Sequence, residues 1–198
     1  MLSMNYSNLN KLGKRQFFTV ADIQDLFGIK LESAWVLCTR YTKKGVFTRL
    51  KKNLYVLNDN WENFSQKDFL KISNFLQVPS YISFMTALSL YEVTTQVQRD
   101  YFESASLKRS VKFEIKGVTF NFYKLKKKYY FDFTKNNDIF LASKEKAFID
   151  SVYLYSFGKY KIDFSSLDLD RLDKNRIKKI LDIYPQKTRR IIRKKCRI

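Results

Sequence analysis

The chain contains no histidine, two cysteines, two prolines and five glycines. Without histidine there is no His-based zinc site and no His-dependent catalytic triad. Cys38 and Cys196 have no metal-ligand spacing, and nothing in their placement pairs them with each other. No run approaches the ~20 apolar residues that span a bilayer. The opening "MLSMNYSNLNKLGKR" lacks the apolar core of a secretory signal, so the expectation is a cytoplasmic protein with no membrane partner.

Acidic residues are scarce as well. Thirty-eight Lys+Arg stand against nineteen Asp+Glu, a net charge of +19. A chain so far from neutrality repels itself, and a polyanion relieves that repulsion. Nucleic acid is the leading partner class, ahead of ribosomal RNA, acidic protein and anionic membrane. Apolar content of 45% is enough for packed cores, so the charge does not signal disorder. Residues 1–60 carry net +6, residues 61–158 net +4 and residues 159–198 net +9, so the two ends are the electropositive parts.

In "FFTVADIQDLFGI", Thr19 followed by Asp22 is a variant capping box, and Gly28 is placed to end the helix carrying Val20, Ile23, Leu26 and Phe27. A second helix follows at once in "LESAWVLCTRYTKKG". Leu31, Ala34, Trp35, Cys38 and Tyr41 form its expected inner stripe, and Gly45 its cap. Ser33, Val36, Arg40, Lys43 and Lys44 point outward, with Thr39 near the boundary. "VFTRLKKNLYVL" then reads as a hairpin turning at "KKN", where Asn53 tolerates positive φ. Helix, tight turn, helix and basic hairpin is the plan of a winged helix-turn-helix. Its recognition helix enters the major groove while the wing reaches phosphate. The expected DNA-binding residues are Lys30, Ser33, Thr39, Arg40, Lys43, Lys44, Arg49, Lys51, Lys52 and Asn53. A solvated basic surface is the plainer reading of any one of these features. The ordered set favours the DNA reader, with Trp35 and Cys38 as core.

Residues 61–77 read as a linker helix, and "SYISFMTALSLYEV" as another helix with Phe84, Ala87, Leu88 and Tyr91 on one face. "RDYFESAS", "VKFEIKG", "VTFNFYKL" and "DIFLAS" read as strands, the second and third turning near Lys116–Gly117. "SKEKAFIDSVYLYSFG" is a helix capped by Ser143, with Ala147, Phe148, Val152 and Tyr155 inward. "LDLDRLDKNRIKKILDIY" is a last helix before Pro185. The tail "QKTRRIIRKKCRI" carries seven cations and no carboxylate, and is either a disordered arm or a helix formed against an anion. For "KLKKK", Lys124 to Lys128, a solvated rim is the better reading. The fold class expected is α+β: an N-terminal winged helix-turn-helix (1–60), the linker helix (61–77), then a mixed α/β domain (78–198) with a small antiparallel sheet and a helical basic C-terminus.

Three segments, "FTVADIQDLFGI…YTKKGVFTRLKKNLYVL", "YISFMTALSLYEV" and "ASKEKAFIDSVYL", together resemble the AbiEi-like antitoxins, across roughly residues 15–157. The resemblance implies a bacterial or archaeal cytoplasmic regulator, linked to phage defence through a type IV toxin–antitoxin pair. It implies a winged helix that represses its own operon by binding promoter DNA, and a C-terminal antitoxin domain. The implied functional partner is a nucleotidyltransferase-type toxin, opposed without a stable complex. Segments 31–44 and 46–57 are the implied DNA-binding elements. Asn53 departs from the glycine common in that wing. No cofactor and no enzymatic activity are implied.

Two rival readings come from the residues themselves. A metal-dependent nuclease of the PD-(D/E)xK type would join Asp100 or Glu103 to Glu114 and Lys116 around Mg²⁺. Glu-x-Lys is, however, common by chance in a lysine-rich chain. Alternatively, the basic tail would make this an RNA- or ribosome-binding interaction protein.

Overall fold

The computed structural model describes residues 6–96 and 98–198, with side chains from Asn10 onward. Residues 1–5 of the opening segment therefore lie outside the described residues. The chain is mixed α/β and divides into two compact units, Met1–Phe69 and Leu70–Ile198. Among the described residues no helix is long and apolar enough to cross a membrane.

The first unit runs α1 (Tyr6–Gly13), α2 (Val20–Phe27), α3 (Leu31–Lys43), β1 (Phe47–Lys51), β2 (Leu54–Leu57) and α4 (Asn58–Glu62). Helix α5 (Gln66–Leu76) crosses the division between the units. Strands β1 and β2 form an antiparallel pair, and Phe18 extends it through reciprocal backbone bonds with Tyr55, both 2.8 Å. One core joins α1, α2, α3 and the hairpin around Phe18, Ile23, Leu37, Cys38, Phe47 and Tyr55. The hairpin's other face is also buried. Leu50, Leu54 and Val56 are covered, and α4 packs on both strands.

The second unit is built on β3 (Ser80–Ile82), β4 (Tyr101–Ser106), β5 (Val111–Ile115), β6 (Val118–Lys124), β7 (Phe133–Asn136) and β8 (Ile139–Ala142). They form one sheet in the order β5-β6-β4-β3-β8-β7. β4 pairs with β6 in parallel, as does β3 with β8, and the remaining neighbours are antiparallel. The sheet is thus larger than the small antiparallel one expected, and mixed. Helices α6 (Phe84–Leu90), α7 (Lys144–Ser156), α8 (Lys174–Leu181) and α9 (Gln186–Cys196) complete the unit, with α7 in contact with the other three.

Several expected elements differ. Ser80–Ile82 is a strand, and the helix starts only after Ser83, because β4 and β8 offer these residues ladder partners on both sides. The expected helix 167–184 is interrupted. Asp168 caps a 3₁₀ turn at Leu169–Arg171, and Asp173 accepts from the N–H groups of Asn175 and Arg176 to start α8 afresh. Tyr155 of α7 turns outward and is 39% exposed.

Helix α7 is otherwise buried nearly all round, and its polar residues are satisfied internally. Lys146 is paired to Asp150, both 0% exposed. The Lys146 ammonium also donates to Tyr81 Oη (3.0 Å), while Tyr81 and Ser83 hydroxyls donate to Asp150 at 2.9 Å each. Burial pushes Lys146 down and Asp150 up from their ordinary values, against the attraction of each for the other. Breaking such a pair strands a buried charge, so the cluster pins α7 to β3.

Candidate nucleic-acid interface

Helix α2 begins with the capping box. The Thr19 hydroxyl accepts from the Asp22 N–H, and the Asp22 carboxylate accepts from the Thr19 N–H. Burial opposes ionisation of Asp22, but bonds from Thr19 and the Arg15 ion pair prevail and hold its carboxyl below the ordinary value. Gly28 ends α2 at φ +60°, leaving Ile29 and Lys30 as the turn into α3. At the far end of α3, Gly45 takes φ +74°. Its N–H and that of Val46 donate to the Thr42 and Tyr41 carbonyls, both 3.0 Å, a Schellman stop that sends the chain straight into β1.

The buried stripe of α3 is Ala34, Leu37, Cys38 and Tyr41. This corrects the expected stripe. Ala34, Cys38 and Tyr41 lie in it as expected and Leu37 joins them, whereas Leu31 is 43% exposed and Trp35 is half-buried, packed against the core. Cys38 is core, and burial pushes its thiol up to about 11. Trp35, Val36, Thr39, Arg40, Lys43 and Lys44 line a shallow groove along the outer face. Val36 is 67% exposed, an apolar group suited to a thymine methyl. Val36 stands outward as its position in the pattern predicts, and Trp35, expected as core, packs against the core and also lines this groove.

Thr39 is exposed and donates its hydroxyl back to the Trp35 carbonyl (2.9 Å), so that donor is engaged within the helix. Arg40 is half-buried with its guanidinium 5.3 Å from the Tyr41 ring centre, and the Lys44 ammonium lies 5.9 Å from the same ring. Tyr41 therefore holds two cations at the edge of the groove. Ser33 and Lys43 are exposed on the same helix, and Lys30 is exposed at its N-cap.

At the hairpin tip Arg49 and Lys52 are exposed, and Lys51 is partly covered. Asn53 adopts φ +61°, the left-handed position of the turn. Its side chain is committed elsewhere: Oδ1 accepts from the Val20 N–H at 2.9 Å, satisfying a free donor in the first turn of α2. Asn53 thus ties the hairpin tip to α2. The structure places the ten expected residues on α3, the turn before it and the hairpin, with Arg40 and Lys51 partly covered and Asn53 exposed but with its Oδ1 engaged by the Val20 N–H.

The remaining sequence candidates lie in the second unit. Glu103 on β4 and Glu114 on β5 are two strands apart, with β6 between them. Glu114 is paired with Lys112. Glu103 is buried and accepts from the Met85 N–H (3.1 Å), Tyr160 Oη (2.7 Å) and, more weakly, Tyr123 Oη (3.5 Å). Burial raises its pKa to about 7 despite those bonds. Asp100 and Lys116 take positive φ at turns. Among the described residues no group of three or more Cys, Asp or Glu is placed to hold a metal ion. The basic tail is α9, with Thr188, Ile192 and Cys196 buried.

No protein-family model matches the chain, and no curated protein matches it.

Proposed function

We propose that the first unit is a winged helix-turn-helix that reads duplex DNA, with α3 as recognition helix and β1–β2 as wing. The protein is then a transcriptional autorepressor and antitoxin of the AbiEi-like kind, acting on its own operon promoter. Its functional partner is a nucleotidyltransferase-type toxin that it opposes without a stable complex. One observation carries this reading. Two helices joined by a short turn and a basic hairpin share one core, and the cations of α3 and the hairpin stand on its outside. The Phe18–Tyr55 bridge adds one rung to the hairpin's edge just before α2, which supports this reading. Asn53 supplies by side chain the wing-to-helix contact that fixes the turn in place of glycine.

Binding follows from the chemistry of the two elements. Arg40, with Val36 and Thr39, meets base edges in the major groove, whereas Lys43, Lys44, Arg49, Lys51 and Lys52 meet phosphate. Footprinting on the promoter of the chain's own operon tests this. Arg40→Ala costs about 1–3 kcal/mol on the preferred site and less on other sequences. Lys51→Ala with Lys52→Ala lowers affinity on all duplexes alike and flattens the salt dependence. A footprint that survives loss of all three side chains refutes the assignment of the DNA face.

A further inference from the structure

The second unit carries a groove that the DNA-reading proposal does not use. It lies where the parallel strands β4 and β6 end beside the C-terminus of α7, and encloses about 940 Å³. Lys108, Arg109, Lys124, Lys126 and Lys159 line it, all exposed, and no carboxylate does. None of the five is in an ion pair among the described residues. Five like charges converging on a concave surface repel one another, and a row of anions placed between them removes the cost.

The groove also has aromatic walls. Phe157 is 48% exposed at its mouth, and Tyr123 stands half-buried on the floor. Tyr123 and Lys159 are shared with an adjoining cleft of about 650 Å³, so the two run into each other. That cleft adds Arg99, Lys161, Tyr101 and Tyr160, and also the carboxyl groups of Glu103, which is buried, and Asp163. Cations alternating with aromatic faces along a channel are the means by which a single strand is held: phosphate to ammonium, base to ring. A duplex keeps its bases stacked inside and cannot use rings set in a concavity.

We infer that this groove binds single-stranded nucleic acid, the Lys108–Arg109 and Lys124–Lys126 cations tracking the backbone and Phe157 and Tyr123 stacking bases. The site is independent of α3 and of the operator reading.

Fluorescence anisotropy of the full chain with labelled rU12 and dT12 tests the inference. A variant carrying Lys108→Gln, Arg109→Gln, Lys124→Gln and Lys126→Gln loses at least tenfold in affinity, and its log K against log salt slope shrinks by about 3. Phe157→Ser, at an exposed position, weakens binding roughly tenfold with the slope unchanged. Lys43→Ala with Lys44→Ala on α3 leaves it within twofold. Unchanged affinity in the fourfold variant overturns the inference. So does rU12 binding that is unmoved by Phe157→Ser and is displaced by an unlabelled random duplex, or by heparin, as well as by unlabelled rU12 of equal weight. Binding of rU12 over dT12, or the reverse, supports the site and assigns its sugar.

Discussion

At the residue scale two side chains do work that their positions in the sequence conceal. Asn53 occupies a left-handed turn position and also caps α2. Asn53→Gly relieves the backbone but loses the cap. Asn53→Ala loses the cap and adds a left-handed cost of about 1–2 kcal/mol. The expected order of thermal stability is therefore wild type, then glycine, then alanine, with faster amide exchange at Val20 in both variants. An alanine variant as stable as the glycine one removes the argument. Glu103 is the second case. Its folded pKa of about 7 lies above the ordinary 4.5, so the folded state keeps a proton that the unfolded chain has released. Stability is then full below about pH 4.5 and declines as pH rises to about 7, on the order of 3 kcal/mol in total. Tyr123 and Tyr160 face the carboxyl, and Tyr101, Arg99, Lys159, Lys161 and Asp163 line the same cleft. Glu103→Gln keeps an acceptor for Tyr160 without the charge. Urea melts between pH 5 and pH 8 should show wild type losing stability relative to this variant, and parallel curves would remove Glu103 as the cause. Neither role is legible in the sequence, since Asn53 and Val20 are 33 residues apart and the Glu103 carboxyl is met by Met85, Tyr123 and Tyr160, from three separate segments.

At the element scale, what carried its own local signal was readable. The Thr19–Asp22 box, Gly28, Gly45 and Ser143 all mark helix ends as their chemistry predicts, because capping is settled within four residues. β3 and β7 were missed because they are three and four residues long and owe their conformation to strands distant in sequence. The α3 stripe is legible at Ala34, Cys38 and Tyr41, but Leu31 at its start is exposed and Leu37, which breaks the expected spacing, is buried beside Cys38. The basic tail is compatible in sequence with either an arm or a helix. Its buried side is only three residues, Thr188, Ile192 and Cys196, spaced by four and outnumbered by cations. That stripe packs on α7, where the Thr188 and Ser156 hydroxyls meet at 2.8 Å. Ile192→Ala should accordingly cost about 2–4 kcal/mol of unfolding free energy, the range for a large-to-small change at a fully buried site. A solubilising arm would leave the urea midpoint unmoved, so a null result at Ile192 would return the tail to that reading.

At the scale of the whole molecule, the net charge of +19 acts on folding and on binding with opposite signs. Folding brings like charges together, so added salt screens repulsion within a Debye length of about 10 Å at 0.1 M and stabilises the fold. Binding a polyanion releases condensed counterions, so the same salt weakens the complex. The melting temperature of the free chain should therefore rise by several degrees between roughly 20 mM and 300 mM NaCl, while affinity for duplex DNA falls across that range. A saturating duplex at low salt should raise the melting temperature by mass action and so shrink the benefit of further salt. The outward cations of α9 separate the two effects, because they lie on neither α3 nor the groove of the second unit. Arg190, Arg193 and Lys194 are exposed, and none is in an ion pair among the described residues. Changing all three to Gln should raise the low-salt melting temperature and reduce its salt dependence, with promoter and rU12 affinities held within about twofold at matched salt. If affinity instead falls as far as it does when the α3 or groove cations are removed, the charge acts as one undivided field, and neither surface is a discrete site.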